Sequence, residues 1–300
     1  MIESVVSEHV PVLLEETLAA LAPRAGGLYC DCTLGRGGHA EALLEASSPD
    51  GRLVGLDRDA VALASCQRRL ARFGDRVTLV HGAFGDVKQH LEQLGVGPLD
   101  GLLADLGVSS PQLDVAERGF SFRMTGPLDM RMDQSRGPSA KDAIADLDER
   151  ALADVIYELG EERKSRPIAR AIKRAEAEGK LETTDDLRSA VISAVGPQRG
   201  SPIDPSTRTF QALRLYVNDE LGQLDRLLTA LPSLLAVGGV AAIISFHSLE
   251  DRAVKHMFRG DASLSPLTKR PVEAGEAECK RNPRSRSAKL RAARRLETLA

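Results

Sequence analysis

The chain has 300 residues, 42% of them hydrophobic, which suffices for one large domain or two ordinary ones around a sizeable core. A formal net charge of −3 and a pI near 6.1 exclude nucleic-acid binding through bulk positive charge, so any RNA contact must use local basic patches. No apolar run approaches the ~20 residues that span a bilayer, and the first ten residues lack the charged-then-apolar layout of a signal peptide; a cytoplasmic protein without membrane contact is expected.

From Leu28 to Asp105 short apolar runs alternate with amphipathic stretches. Leu28–Thr33, Arg52–Asp57, Arg76–His81 and Leu99–Asp105 have the character of strands buried on both faces, with helices in the gaps. Short connections between such elements predict a parallel sheet wound by right-handed crossovers, a Rossmann-like α/β fold. Between Ser110 and Ser206 the rhythm stops, and charge-rich, Ala-rich segments such as Glu149–Glu158 and Ile168–Glu178 predict helices without a convincing strand. Apolar positions Leu213, Val217, Leu221, Leu224, Leu228 and Leu231 then predict one long amphipathic helix leading back to a strand at Val240–Phe246. Residues 1–109 and 207–300 are thus expected to form the sheet domain, and 110–206 an inserted helical substrate-recognition domain. The segment from Cys279 to Arg295 holds eight basic residues and no acidic one. Ser287–Leu296 has the makings of a final edge strand, either as a solvated charged edge or as an RNA contact.

The first strand runs into Asp31-Cys-Thr-Leu-Gly35-Arg-Gly37-Gly38-His39-Ala40, a glycine-rich turn whose backbone can approach a ligand closely at a helix start. Taken alone, Gly35-x-Gly37-x-x-Ala40 with Asp57 downstream also satisfies the dinucleotide fingerprint, so an NAD(P)-dependent oxidoreductase is a rival reading. The rest of the acidic set separates the two. Asp31, Asp57 and Asp105 stand at or near strand ends, where an open parallel sheet binds its ligand. Carboxylates suit the ribose diol, ammonium and sulfonium of S-adenosylmethionine but repel a pyrophosphate. Asp57 is expected to accept both ribose hydroxyls, with capping of the next helix as its structural alternative. Phe84, just past the third strand, is expected to lie against an adenine ring, with core packing as its alternative.

Four cysteines, at 30, 32, 66 and 279, form no Cys-x2-Cys pair, which points to buried reduced thiols and no structural metal site. The lack of Trp, with only seven Phe and three Tyr, argues against a module that holds RNA mainly on stacking platforms.

Three segments carry a family resemblance: Asp105-Leu-Gly-Val-Ser-Ser-Pro-Gln112, Glu117-Arg-Gly-Phe-Ser-Phe122 and Gly126-Pro-Leu-Asp-Met-Arg-Met132. Gly160-Glu-Glu-Arg163, Thr207-Arg-Thr-Phe-Gln-Ala212 with Asn218, Ile244-Ser-Phe-His-Ser-Leu-Glu-Asp-Arg252 and Asn282-Pro-Arg-Ser-Arg-Ser-Ala-Lys-Leu-Arg291 add to it. From about His9 to Leu296 the chain resembles the bacterial small-subunit rRNA cytosine-N4 methyltransferases. The resemblance implies a class I methyltransferase sheet with an inserted all-helical lobe. It implies methyl transfer from S-adenosyl-L-methionine to the exocyclic amine of one cytidine in the decoding region of 16S rRNA. It places cofactor contacts at Gly37, Gly38, His39, Asp57, Phe84, Asp105 and Gln112, with Asp31 and Gly35 as further candidates. Lys164-Ser-Arg-Pro167 departs from the family pattern by its proline.

Many amino-methyltransferases carry an Asn/Asp-Pro-Pro-aromatic turn after the fourth strand, and this chain does not. Asp105 and Ser109 are therefore expected to orient the amine, with His247 more simply a strand-end hydrogen-bonding residue. Arg118, Arg123 and Arg131 are candidates for flanking phosphates, with ordinary ion pairing as the alternative. A non-catalytic ribosome-assembly factor is a third reading, and a homodimer stays open.

Overall fold

A computed structural model describes residues 11–196 and 204–297, so the amino-terminal segment with His9 and residues 197–203 of the expected insertion lie outside the described residues. The chain forms two compact units, residues 1–107 with 221–300 and residues 108–220.

The first unit begins α1 (Leu14–Leu21), β1 (Leu28–Asp31), α2 (Gly38–Ala46), β2 (Arg52–Asp57), α3 (Ala60–Leu70), β3 (Val77–His81), α4 (Val87–Leu94) and β4 (Leu99–Asp105). All four expected strands are present, each within two residues of its expected ends, but β3 ends the sheet and is not buried on both faces as expected, because it has a strand neighbour on one side only. The second unit holds α5 (Ser110–Asp114), α6 (Ala140–Asp146), α7 (Glu149–Gly160), α8 (Ser165–Ala177), α9 (Thr184–Val195) and α10 (Thr207–Val217). Its described residues contain no strand, only an isolated bridge between Pro127 and Thr183. The chain closes with α11 (Glu220–Leu234), β5 (Leu235–Ser245), α12 (Ser248–Gly260), β6 (Leu264–Pro266), β7 (Val272–Glu273), α13 (Glu276–Arg281) and β8 (Lys289–Arg295).

The sheet order is β3-β2-β1-β4-β5-β8-β6, with β7 also paired to β8. The strands from β3 to β5 are parallel, and β8 runs antiparallel to β5. Chain order reverses between β1 and β4, which places a ligand crevice beyond the carboxyl ends of these strands. Successive residues of each strand face opposite sides. Leu102, Ala104, Ala241 and Ile243 accordingly pack into one core with Leu224, Leu227, Leu228 and Leu231 of α11. Leu103, Ala242 and Ile244 pack into the other with Leu43 and Leu44 of α2.

The structure departs from expectation at the last strand, the long helix and the domain bounds. The strand at the carboxyl end is not an edge: β8 lies between β5 and β6, because its Leu290, Ala292 and Ala293 are buried, Arg291 is buried against Asp251, and Arg294 is exposed. The long helix is two helices. Leu213 belongs to the core of the helical unit and Leu224, Leu228 and Leu231 to the sheet, so the apolar stripe serves two cores. The chain turns at Asn218-Asp219, where Asp219 takes a left-handed φ of 48°. This shifts the return to the sheet unit from the expected residue 207 to 221, since Phe210 and Leu213 are buried in the helical core. At the first boundary the units divide after Gly107 rather than after residue 109. The proline of Lys164-Ser-Arg-Pro167 falls in the first turn of α8, where its missing N–H costs no helical bond.

The buried Asn218 side chain staples the helical unit. Its Oδ1 accepts from Met132 N at 2.8 Å, and its Nδ2 donates to Met130 O at 2.7 Å and Arg214 O at 2.9 Å. Removing it leaves buried backbone groups without partners, at ~1–3 kcal/mol each. Asn218→Ala is expected to lower unfolding stability by about 3 kcal/mol in denaturant titrations followed by circular dichroism; a loss below about 1 kcal/mol would rule out this staple.

Candidate functional site

The glycine loop is built by the ends of β1 and β2. Leu34 N donates to Leu56 O at 2.9 Å, Gly35 N to Asp57 Oδ2 at 2.8 Å, and Gly37 N to Leu34 O at 2.7 Å. Gly35 and Gly37 have φ of 52° and 76°, a region that side-chain-bearing residues rarely enter. Gly37 caps α2 with no side-chain acceptor, so the first amides of that helix present a positive dipole end. The need for glycine differs along the loop. A Cβ at Gly38 would meet Pro11 Cγ at 2.4 Å and one at Gly37 would meet Cys66 Sγ at 3.0 Å, whereas one at Gly35 would meet only Thr33 O, at 3.9 Å. Packing alone thus requires Gly38, and the unfilled approach lies at Gly35.

Asp57 uses both oxygens on backbone: besides Gly35 N, Asp59 N donates to Oδ1 at 2.8 Å. The helix-capping alternative holds only indirectly, because Asp59 is the residue that caps α3, accepting from Val61 N. Asp57 therefore fixes loop and helix start together, and each oxygen keeps lone-pair capacity for a further donor. Asp31 is buried, with Thr33 N donating to its Oδ1 at 3.1 Å. Asp105 ends β4, where its backbone N donates to Thr33 Oγ1 at 2.6 Å, and its Oδ1 is buried without a hydrogen-bond partner. His39, in the first turn of α2, brings Nε2 to 3.8 Å from Asp105 Oδ2.

These carboxyls are electrostatically strained. Burial, with the Asp57 charge adding to it, pushes Asp31 up to about 7. Burial pushes Asp57 up to about 6, opposed by the bonds from Asp59 and Gly35. Asp105 is pushed well above the carboxylate range by burial and then by the charges of Asp31 and Glu250. The charges acting on these acids are mostly those of other acids, with Arg58 opposing the rise at Asp57, so the crevice favours a cationic ligand. For such acids the folded state holds its proton more tightly than the unfolded chain. Ligand-free stability from Asp31 is then present near pH 4 and lost as pH rises toward 7. Asp31→Asn is expected to raise the Tm of the ligand-free protein at pH 8 and leave it nearly unchanged at pH 4. Equal shifts at both pH values would count against this linkage.

Two contributors escape sequence reasoning. Thr33 joins β1 to β4 through its hydroxyl, which no motif marks. Glu250, buried at 2% exposure, accepts from Phe246 N at 2.9 Å through Oε2, and its own N donates to His247 Nδ1 at 3.4 Å. His247 is thus the N-cap of α12, and His247-x-x-Glu250 has the spacing of a capping box, a signal legible in advance. Phe84 opens a short turn three residues beyond β3 and is half-buried against the core.

Ser109 and Gln112 lie in the helical unit, and there Ser109 N donates to Gln112 Oε1 at 2.9 Å, with Gln112 buried. Two of the three candidate phosphate-gripping arginines are engaged within that unit. Arg118 is buried and donates to the carbonyls of Arg131 and Met132, and Arg131 forks onto Asp129 at 2.9 and 2.7 Å. Arg123 is exposed. In the basic segment Arg291 forks onto Asp251 and Arg295 donates to Leu235 O, while Lys280, Arg281 and Arg286 are exposed.

The geometry, a glycine loop opening a helix opposite three strand-end acids, meets a matching family model: the one described as the MraW methylase family covers residues 6–296. The chain belongs to that family. Curated relatives agree with this methylase assignment. A Sorangium cellulosum (strain So ce56) protein named ribosomal RNA small subunit methyltransferase H is 58% identical, over 96% of this chain and 91% of its own. Proteins of the same name from Trichlorobacter lovleyi and Symbiobacterium thermophilum are 50% and 48% identical, each over 96% of this chain and covered over 98% and 97% of theirs. Among the described residues of the methylase no helix is long and apolar enough to cross a membrane.

Proposed function

We propose that this methylase transfers a methyl group from S-adenosylmethionine to the N4 amine of a cytidine in the decoding region of 16S rRNA, acting on the small ribosomal subunit in the cytoplasm. The observation that carries the cofactor reading is the buried Asp105 Oδ1 without a partner, in a crevice whose acids are all pushed up. The residues present fit this cofactor. Asp57 has lone pairs for the ribose hydroxyls, Phe84 offers a ring face for adenine, and the α2 amides at Gly37, Gly38 and His39 suit the amino-acid carboxylate. A dinucleotide fits worse, since its pyrophosphate would make the buried Asp31 and Asp105 still harder to ionise, whereas a sulfonium and an ammonium favour their charged forms. The acceptor rests on the motifs from Asp105 to Gln112 and on the names of the relatives.

When bound, the cofactor supplies an electrophilic methyl on a sulfonium. The chain's task is to hold an amine in line with it and to exclude competing geometries. Asp105 accepts a hydrogen bond from the amine, which localises its lone pair and stabilises the positive charge that grows on nitrogen. The motif from Asp105 to Gln112 supports Ser109 as a second acceptor and Gln112 as a cofactor contact. The test is to incubate the purified protein with labelled S-adenosylmethionine and small subunits lacking methylation, then to digest the RNA and identify nucleosides by mass spectrometry. N4-methylcytidine at one site is expected. Tight cofactor binding without any transfer to subunits would overturn the acceptor while leaving the cofactor reading standing.

A further inference from the structure

Aromatic rings are scarce in this chain, with seven Phe, three Tyr and no Trp, so their placement carries information. In the sheet unit, two half-buried rings stand just beyond the carboxyl ends of the parallel strands: Phe84, three residues past β3, and Phe246, one residue past β5. Between β3 and β5 lie β2, β1 and β4, hence four interstrand steps and roughly 19 Å at about 4.8 Å each. No single planar group spans that distance, so the two rings serve two ligands or one of them serves none.

Three observations make Phe246 a built platform. First, its ring is held in place: one side packs against Gly107, where an added Cβ would lie in ordinary contact at 3.4 Å from Phe246 Cδ2, and it rests on the core that holds Ile244, yet it stays partly exposed. Second, its backbone is held: Glu250 Oε2 accepts from Phe246 N at 2.9 Å, and Leu106 N donates to Ile244 O at 2.9 Å, which locks the end of β5 to the end of β4. Third, register pairs Asp105 with Ile244, so the ring lies just past the partnerless carboxylate oxygen. This is also the chain that lacks an aromatic residue in its own β4 turn, Asp105-Leu-Gly-Val-Ser-Ser-Pro.

We infer that Phe246 is the face on which the acceptor base stacks, supplied by β5 in place of the β4 turn. The inference rests on the proposed acceptor. Its ligand is a planar pyrimidine whose exocyclic amine then points at Asp105, while Phe84 serves the adenine of the cofactor on the other flank. Stacking is indifferent to hydrogen bonding, so the ring adds affinity and orientation, and the carboxylate reads the amine.

The test compares Phe246→Leu, Phe246→Tyr and Phe84→Leu in the full chain, with S-adenosylmethionine affinity by calorimetry and transfer to unmethylated small subunits. Phe246→Leu is expected to keep cofactor affinity within about twofold and to lower kcat/KM for the subunit at least tenfold, with Phe246→Tyr restoring most of it; Phe84→Leu is expected to weaken the cofactor instead. Because the chain has no Trp, Phe246→Trp places a single indole there, whose fluorescence should be quenched by subunits in the presence of cofactor and unmoved by cofactor alone. Transfer by Phe246→Leu within twofold of the parent, cofactor affinity lost as in Phe84→Leu, or an indole blind to the subunit would each overturn the inference. A parent enzyme unable to methylate subunits would instead overturn the acceptor reading on which the inference depends.

Discussion

Asp57→Ala is expected to weaken S-adenosylmethionine binding by ten- to a hundredfold. The lower figure corresponds to ~1.4 kcal/mol, less than one charge-assisted bond to a ribose hydroxyl at roughly 1.5–3 kcal/mol. The upper figure follows because Asp57 also accepts from Gly35 N and Asp59 N, so its loss releases the glycine loop as well as the ribose. Stability should respond less than binding. The lost backbone bonds destabilise the apo fold, while removing a carboxyl pushed up to about 6 relieves the cost of burying its charge. Asp57→Asn should fall between the two, since an amide oxygen can accept one of the two backbone bonds while its NH2 must face the other donor. Calorimetry at pH 8 reads the effect, and unchanged affinity would remove Asp57 from the cofactor site.

Asp105→Ala is expected to lower single-turnover methyl transfer by at least a hundredfold at saturating cofactor, with a smaller loss of cofactor affinity. The difference has a physical source. Charge grows on the attacking nitrogen only as the bond forms, so an acceptor aimed at it stabilises the transition state more than the ground state. Removing one such preorganised group costs ~2.7–4 kcal/mol in comparable sites, or 10² to 10³ in rate. Asp105 fits that role because its position is fixed by Asp105 N donating to Thr33 Oγ1 while its Oδ1 stays without a partner. Asp105→Asn keeps an acceptor without the charge and should retain part of the rate. Full turnover by Asp105→Ala would show that the amine is oriented elsewhere.

The strands β1 to β4, the glycine loop and the helical character of the insertion were legible because each is written locally. Four- to seven-residue apolar runs ending in Asp31, Asp57 and Asp105 bury both faces of a parallel sheet whatever their neighbours do. The helices α7 and α8 were legible for the same reason, as amphipathic segments with their own turn signals. The family could be read from contiguous motifs, which need no coordinates.

The tertiary structure alone decided which of several locally acceptable partners each residue found. The stripe from Leu213 to Leu231 has unbroken helical spacing, yet it divides because the Asn218 amide satisfies Met130 and Met132, eighty-six or more residues earlier in the chain. Likewise, Arg118 and Arg131 carry the composition of phosphate ligands, but nearby carbonyls and Asp129 take up their donors. The last strand is charged like an edge, yet burial of Leu290, Ala292 and Ala293 draws it between β5 and β6. The strain on Asp31 and Asp105 likewise arises only when separate strand ends converge, since burial and mutual charge are properties of the assembled crevice. Sequence determines periodicity, turns and motif chemistry, which act over a few residues; hydrogen-bond partners and desolvation depend on groups that meet only after folding.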